Sequence, residues 1–91
     1  MYYIGIDISK FKHDCAVIDD AGDVVTPSWS FANDHEGFLQ LKALLDSLGL
    51  ETRIGLESTG HYGTNLKLFL EACGRTFMEF NPLLINRFVK S

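Results

Sequence analysis

Cysteine is scarce in this chain: Cys15 and Cys73 are the only two among 91 residues. They lie far apart, and neither has a partner at metal-ligand spacing. That excludes a disulfide framework and a cysteine-based zinc site. It suits a reducing cytoplasm, where the protein is expected to reside. Proline is nearly missing, with Pro27 and Pro82 alone. Positive charge is also short, with 8 Lys and Arg against 12 Asp and Glu and a net charge of −4. Binding nucleic acid by bulk charge would need the opposite balance. No apolar run approaches the ~18 residues that span a membrane. The start, Met1-Tyr2-Tyr3-Ile4-Gly5, lacks the basic region of a signal peptide. No membrane partner is expected.

What the chain has is enough apolar sequence for one modest core. Apolar residues make up 46 % and charged residues 22 %, as in ordinary globular domains. At this length a single domain is expected. The acidic groups are concentrated in residues 1–60, whereas residues 61–91 are net basic.

Tyr2 to Ile8 is rich in aromatic and β-branched residues and reads as a buried strand. Lys12 to Ile18 holds a second strand. Asp19-Asp20-Ala21-Gly22-Asp23 is turn chemistry, which is the plain reading of its three acids. A third strand follows, with Val25, Pro27, Trp29 and Phe31 predicted on one face and Thr26, Ser28 and Ser30 on the other. Pro27 cannot donate to a ladder, so this strand belongs at a sheet edge. Asn33-Asp34-His35-Glu36 predicts a capping box with Asn33 as N-cap. Phe38, Leu41, Leu45 and Leu48 recur at helical spacing, and Gly49 ends the helix.

Thr52 to Ser58 reads as a strand, and Thr59-Gly60 is expected to open a second helix closed by Gly74. Arg75 to Phe80 reads as a further strand. Asn81-Pro82 starts a third helix. Its apolar residues Leu83, Leu84, Ile85, Phe88 and Val89 need a cover, which predicts a homo-oligomer. The order is β-β-β-α-β-α-β-α. It predicts an α/β fold with a mixed sheet, since the β-α-β units imply parallel pairing. This is the element order of the ribonuclease H-like fold, with strand order 3-2-1-4-5.

Two segments resemble each other: Ile4-Gly5-Ile6-Asp7-Ile8-Ser9 and Ile54-Gly55-Leu56-Glu57-Ser58-Thr59. Each lies on a predicted internal strand. Side chains alternate across a strand, so Gly5 and Asp7 share a face, as do Gly55 and Glu57. In the predicted order these strands are neighbours, about 4.8 Å apart. Two carboxylates ~4 Å apart repel by about 4 kcal/mol at an effective dielectric of 20. Either one of them holds a proton or a divalent cation sits between them.

Gly5-Ile6-Asp7-Ile8-Ser9-Lys10, followed by Glu57-Ser58-Thr59-Gly60-His61-Tyr62, resembles the amino-terminal domain of DEDD-type insertion-sequence transposases, a group that includes the pilin-gene invertase. The resemblance implies a RuvC-like nuclease fold in which four acids hold Mg²⁺, with two ions in the complete domain. Asp7 matches the first acid and Glu57 the second, as metal ligands and catalytic residues. DNA is the implied partner. Some relatives are guided by a structured RNA, which nothing in these residues shows. The third and fourth acids belong to a Lys-Thr-Asp-x-x-Asp-Ala segment that does not occur in the sequence. Residues 1–91 are therefore expected to be the amino-terminal part of a RuvC-like domain in a longer transposase, inactive alone.

Around the pair, Lys10 is a candidate phosphate contact, and Thr59 and Gly60 are candidates to present helix-start amides to an anion. His61 and Tyr62 are candidate substrate contacts, although packing on the sheet is the simpler reading of Tyr62. His13 and Cys15, which share a strand face, read as structural, and Trp29 and Phe31 read as core. Two other function classes fit less well. A phosphotransferase module of the actin and sugar-kinase type needs a glycine soon after the first acid, and Ser9 stands there. A non-catalytic interaction domain would keep the fold alone.

Overall fold

The computed structural model describes residues 1–49, 51–57 and 61–80. Its elements are β1 (Tyr2–Ile8), β2 (Lys12–Asp19), β3 (Val24–Ala32), α1 (His35–Leu48), β4 (Thr52–Glu57), α2 (Thr64–Ala72) and β5 (Met78–Phe80). They build one 5-stranded sheet in the order β3-β2-β1-β4-β5. The first three strands pair antiparallel, and β4 and β5 add in parallel. The predicted mixed sheet and strand order are those observed. The third helix expected from Asn81, and the oligomer argued from it, fall outside the described residues.

Alternation assigns the two sheet faces. Ile4, Ile6 and Ile8 of β1, Cys15 and Val17 of β2, Phe31 of β3, and Ile54 and Leu56 of β4 are all buried. Phe38, Leu41 and Leu45 of α1 and Leu66 and Leu70 of α2 complete this single cluster. Both helices therefore lie on the same side. The two helical crossovers run in one direction across the sheet, β3 to β4 and β4 to β5, and their right-handedness places both helices on one face. Among the described residues no helix covers the opposite face. It carries Tyr3, Gly5 and Asp7 of β1 between Ile18, Ala16 and Asp14 of β2 and Arg53, Gly55 and Glu57 of β4.

Several local features differ from the sequence-based expectations. The helix α1 is capped by Asp34, whose side chain accepts from the Gly37 amide at 2.8 Å, not by Asn33. The Asn33 side chain instead donates to the carbonyls of Lys10 and Tyr62. In β3 the register shifts against Cys15–Val17 and again at Ile18. This bulging breaks strict alternation. Trp29 and Phe31 keep the core face, while Val25 and Pro27 are exposed. Pro27 lies on an edge strand as expected.

The helix α2 begins at Thr64, after a turn at residues 61–63, and not at Thr59-Gly60, which are outside the described residues. It ends as predicted at Gly74, with φ of 74°. The Gly74 and Arg75 amides there bond back to Glu71 and Leu70 in a Schellman pattern. Arg75 does not begin a strand. Its guanidinium donates to the Gly49 carbonyl at 2.9 Å and to Thr52 Oγ1 at 3.1 Å, and β5 spans only Met78–Phe80.

A candidate carboxylate site on the open face

Asp7 and Glu57 sit on adjacent parallel strands and are direct Cα partners. An in-register pair has side chains on one face, with the strands about 4.8 Å apart. Both acids lie near the carboxyl ends of β1 and β4, where open α/β sheets place their ligand sites. Asp7 is exposed and Glu57 is half-buried. Burial raises the Glu57 pKa above the usual carboxylate value, and the charge of Asp7 raises it further. Among the described residues no ion pair involves either acid.

A third acid joins this row. Asp14 is the antiparallel partner of Asp7 on the other side. It accepts a hydrogen bond of 2.5 Å from Ser30 Oγ, and Ser30 is its own register partner on β3. Ser30, Asp14, Asp7, Glu57 and Phe80 therefore form one continuous rank across the five strands. The sequence reading did not single out Asp14. The signal was present in the turn between β1 and β2, whose length fixes which β2 residue stands opposite Asp7.

One rank back, Gly5 and Gly55 are partners, flanked by Ala16 and Met78. A Cβ on Gly55 would come within 2.6 Å of the Phe80 ring, so glycine there lets that ring lie across the strand. The result is an open trough of about 780 Å³, with Tyr3, Ile18, Met78 and Phe80 among its walls and the acids among its lining.

The other candidate residues are placed as follows. Lys10 is exposed, and its ammonium lies 5.1 Å from the Phe11 ring centroid. His61 and Tyr62 are exposed in the turn before α2, with ring centroids 4.8 Å apart. Tyr62 is 38 % exposed, with most of its surface covered. Thr59 and Gly60 lie outside the described residues. His13 and Cys15 are fully buried, as expected for structural residues. Burial pushes the Cys15 thiol pKa up to about 12, which removes it as a nucleophile.

All three acids of the rank offer hard oxygen donors. Mg²⁺ suits such a set, because it commonly takes one or two carboxylates and keeps several waters. Among the described residues no three His, Cys, Asp or Glu side chains are arranged to hold a metal ion by themselves. The donors present fit a Mg²⁺ ion whose remaining ligands come from water, substrate or further residues.

Comparison with known proteins bears on this geometry. The model of the IS110-type DEDD family, described as transposase, matches residues 4–91. No curated protein matches the chain. Among solved structures, YeaZ from Pseudomonas aeruginosa is 13 % identical, covering 88 % of this chain and 42 % of its own, with a TM-score of 0.51. The type II variant of the Aquifex aeolicus Ppx/GppA phosphatase is 11 % identical, covering 90 % of this chain and 36 % of its own, with a TM-score of 0.50. At these identities the likeness is one of fold. The chain spans well under half the length of either structure. Among the described residues no helix is long and apolar enough to cross a membrane.

Proposed function

The chain belongs to the IS110-type DEDD transposase family, and on that premise we propose that it supplies part of a Mg²⁺-dependent site for DNA cleavage and strand transfer. In this reading residues 1–91 are the amino-terminal part of a RuvC-like nuclease domain. The observation that carries it is the in-register pairing of Asp7 with Glu57 at the ends of two adjacent parallel strands. Asp7 and Glu57 hold the metal. Bound there, Mg²⁺ would neutralise the phosphodiester and stabilise charge on its attacking and leaving oxygens. A metal would need Glu57 ionised, and its raised pKa makes that binding pH-dependent. DNA is the partner. Lys10, His61 and Tyr62, with Thr59 and Gly60, are the residues placed in sequence to meet it.

The phosphotransferase reading is disfavoured by the turn after Asp7. The Ser9 amide there is already donated to His13 Nδ1 at 3.2 Å and is not free to cradle a phosphate. The test is DNA cleavage by a transposase that carries these residues. Asp7→Asn and Glu57→Gln are each expected to lower Mg²⁺-dependent cutting by about 10²–10³-fold. Wild-type cutting by either variant would contradict the proposal. The 91-residue chain alone is expected not to cut, because two acids do not build a two-ion clamp.

A further inference from the structure

Asn33 sits between β3 and α1, yet its hydrogen bonds reach across the end of the sheet. Its backbone amide donates to the Phe11 carbonyl at 2.9 Å. Its side-chain Nδ2 donates to the Lys10 carbonyl at 3.0 Å and to the Tyr62 carbonyl at 3.2 Å. Lys10 and Phe11 lie in the turn that leaves the strand of Asp7. Tyr62 lies in the turn that enters α2, beyond the strand of Glu57. One side chain therefore ties together two turns that are far apart in sequence.

Two further contacts brace the same turns. Gly63 is buried against Ile8, where a Cβ would fall 2.6 Å from Ile8 Cδ1. His13, wholly buried, accepts the Ser9 amide at Nδ1, so its neutral ring carries the proton on Nε2. The ring is stacked over Phe38 and meets Phe31 edge-on. Burial lowers the His13 pKa and outweighs the opposing influence of Asn33, Asp14 and Asp7. Neutral His13 thus holds the first turn at the Ser9 amide while Asn33 holds it at the Lys10 carbonyl.

We propose that Asn33 is a positioning residue that clamps the Lys10 turn to the Tyr62 turn, so that Lys10 and the His61–Tyr62 pair are presented together beside the carboxylates. The functional part of this rests on the reading of Asp7 and Glu57 as a metal site; the clamp itself does not.

Nuclear magnetic resonance on the labelled 91-residue chain separates the two. In the wild type the Asn33 side-chain amide protons are expected to exchange at least about tenfold more slowly than those of exposed Asn65, as two intact hydrogen bonds require. Asn33→Asp keeps the shape and the acceptor but removes the donor, and Asn33→Ala removes both. In both variants the carbonyl carbon resonances of Lys10 and Tyr62 should move upfield together, while those of Val17 and Leu45 stay in place. Added Mn²⁺ should broaden the Lys10 and Tyr62 amides to a similar extent in the wild type and unequally in Asn33→Asp.

Equal exchange at Asn33 and Asn65 would overturn the clamp, whether or not the variants fold. A carbonyl response at only one of the two turns would also overturn it. If Mn²⁺ broadens nothing in the wild type while the carbonyl shifts behave as stated, the clamp stands and the metal reading falls.

Discussion

At the residue scale, two titrating groups hold opposite positions in the sheet. Glu57 has a raised pKa, so its ionisation costs the folded state stability. That cost is absent below its unfolded value and appears as pH rises through the folded one. Because Asp7 contributes to the shift, Asp7→Asn should lower the Glu57 pKa, read from the Glu57 carboxyl carbon during an acid titration. Removing a like charge from a direct cross-strand neighbour should also stabilise the fold by about 0.2–1 kcal/mol in urea unfolding.

His13 behaves in the reverse sense. Its folded pKa is lowered by burial, so the stability linked to its neutral form is complete above the unfolded value of about 6.5 and is lost as pH falls from there towards the folded value. Urea midpoints should therefore drop between pH 7.5 and 5.5. In the same titration, the His13 ring carbon should report protonation at a lower pH than free histidine does. A His13 ring that protonates at the free-histidine pKa would contradict this.

At the element scale, the glycines show which contacts are rigid. A Cβ on Gly37 would lie 2.0 Å from the Ala32 carbonyl oxygen, a backbone atom that cannot swing away. Alanine would gain up to ~1 kcal/mol of helix propensity there. Overpacking against backbone costs more, about 1–3 kcal/mol. Gly37→Ala should therefore destabilise the chain in urea. Gly55→Ala, which meets only the movable Phe80 ring, should cost less.

The same scale explains what the sequence made legible. The strands of Asp7 and Glu57 were readable because apolar alternation marks a core face whatever surrounds it, and the Gly-x-acid repeat placed both acids on the other face. The helix α1 was readable from its spacing, but its cap was not. Asn33 and Asp34 are equivalent as capping chemistry, and the choice was made by carbonyls of Lys10 and Tyr62 distant in sequence. The bulges in β3 were hidden because Val25 and Pro27 continue the apolar pattern while facing solvent. The late start of α2 was hidden because Thr59-Gly60 and Gly63-Thr64 offer similar helix-start residues, and packing of Gly63 on Ile8 favours the second.

At the scale of the whole molecule, the core is one-sided. Both helices cover the isoleucine face, and the acids stand on the face that no described helix covers. The acid rank and the packed core thereby lie on opposite sides of a single sheet. The carboxylate rank weakens the fold slightly through its own repulsion, and a divalent cation would reverse that. A cation that binds the folded chain alone stabilises it by about 2.7 kcal/mol at a hundred times its dissociation constant.

The account rests on Asp7 and Glu57 acting together as ligands. Calorimetric titration of the 91-residue chain with Mn²⁺ tests this most directly. One site is expected in the wild type, strengthening as pH rises through the Glu57 titration, and lost in both Asp7→Asn and Glu57→Gln. Binding that survives both substitutions, or no binding by the wild type, would contradict it.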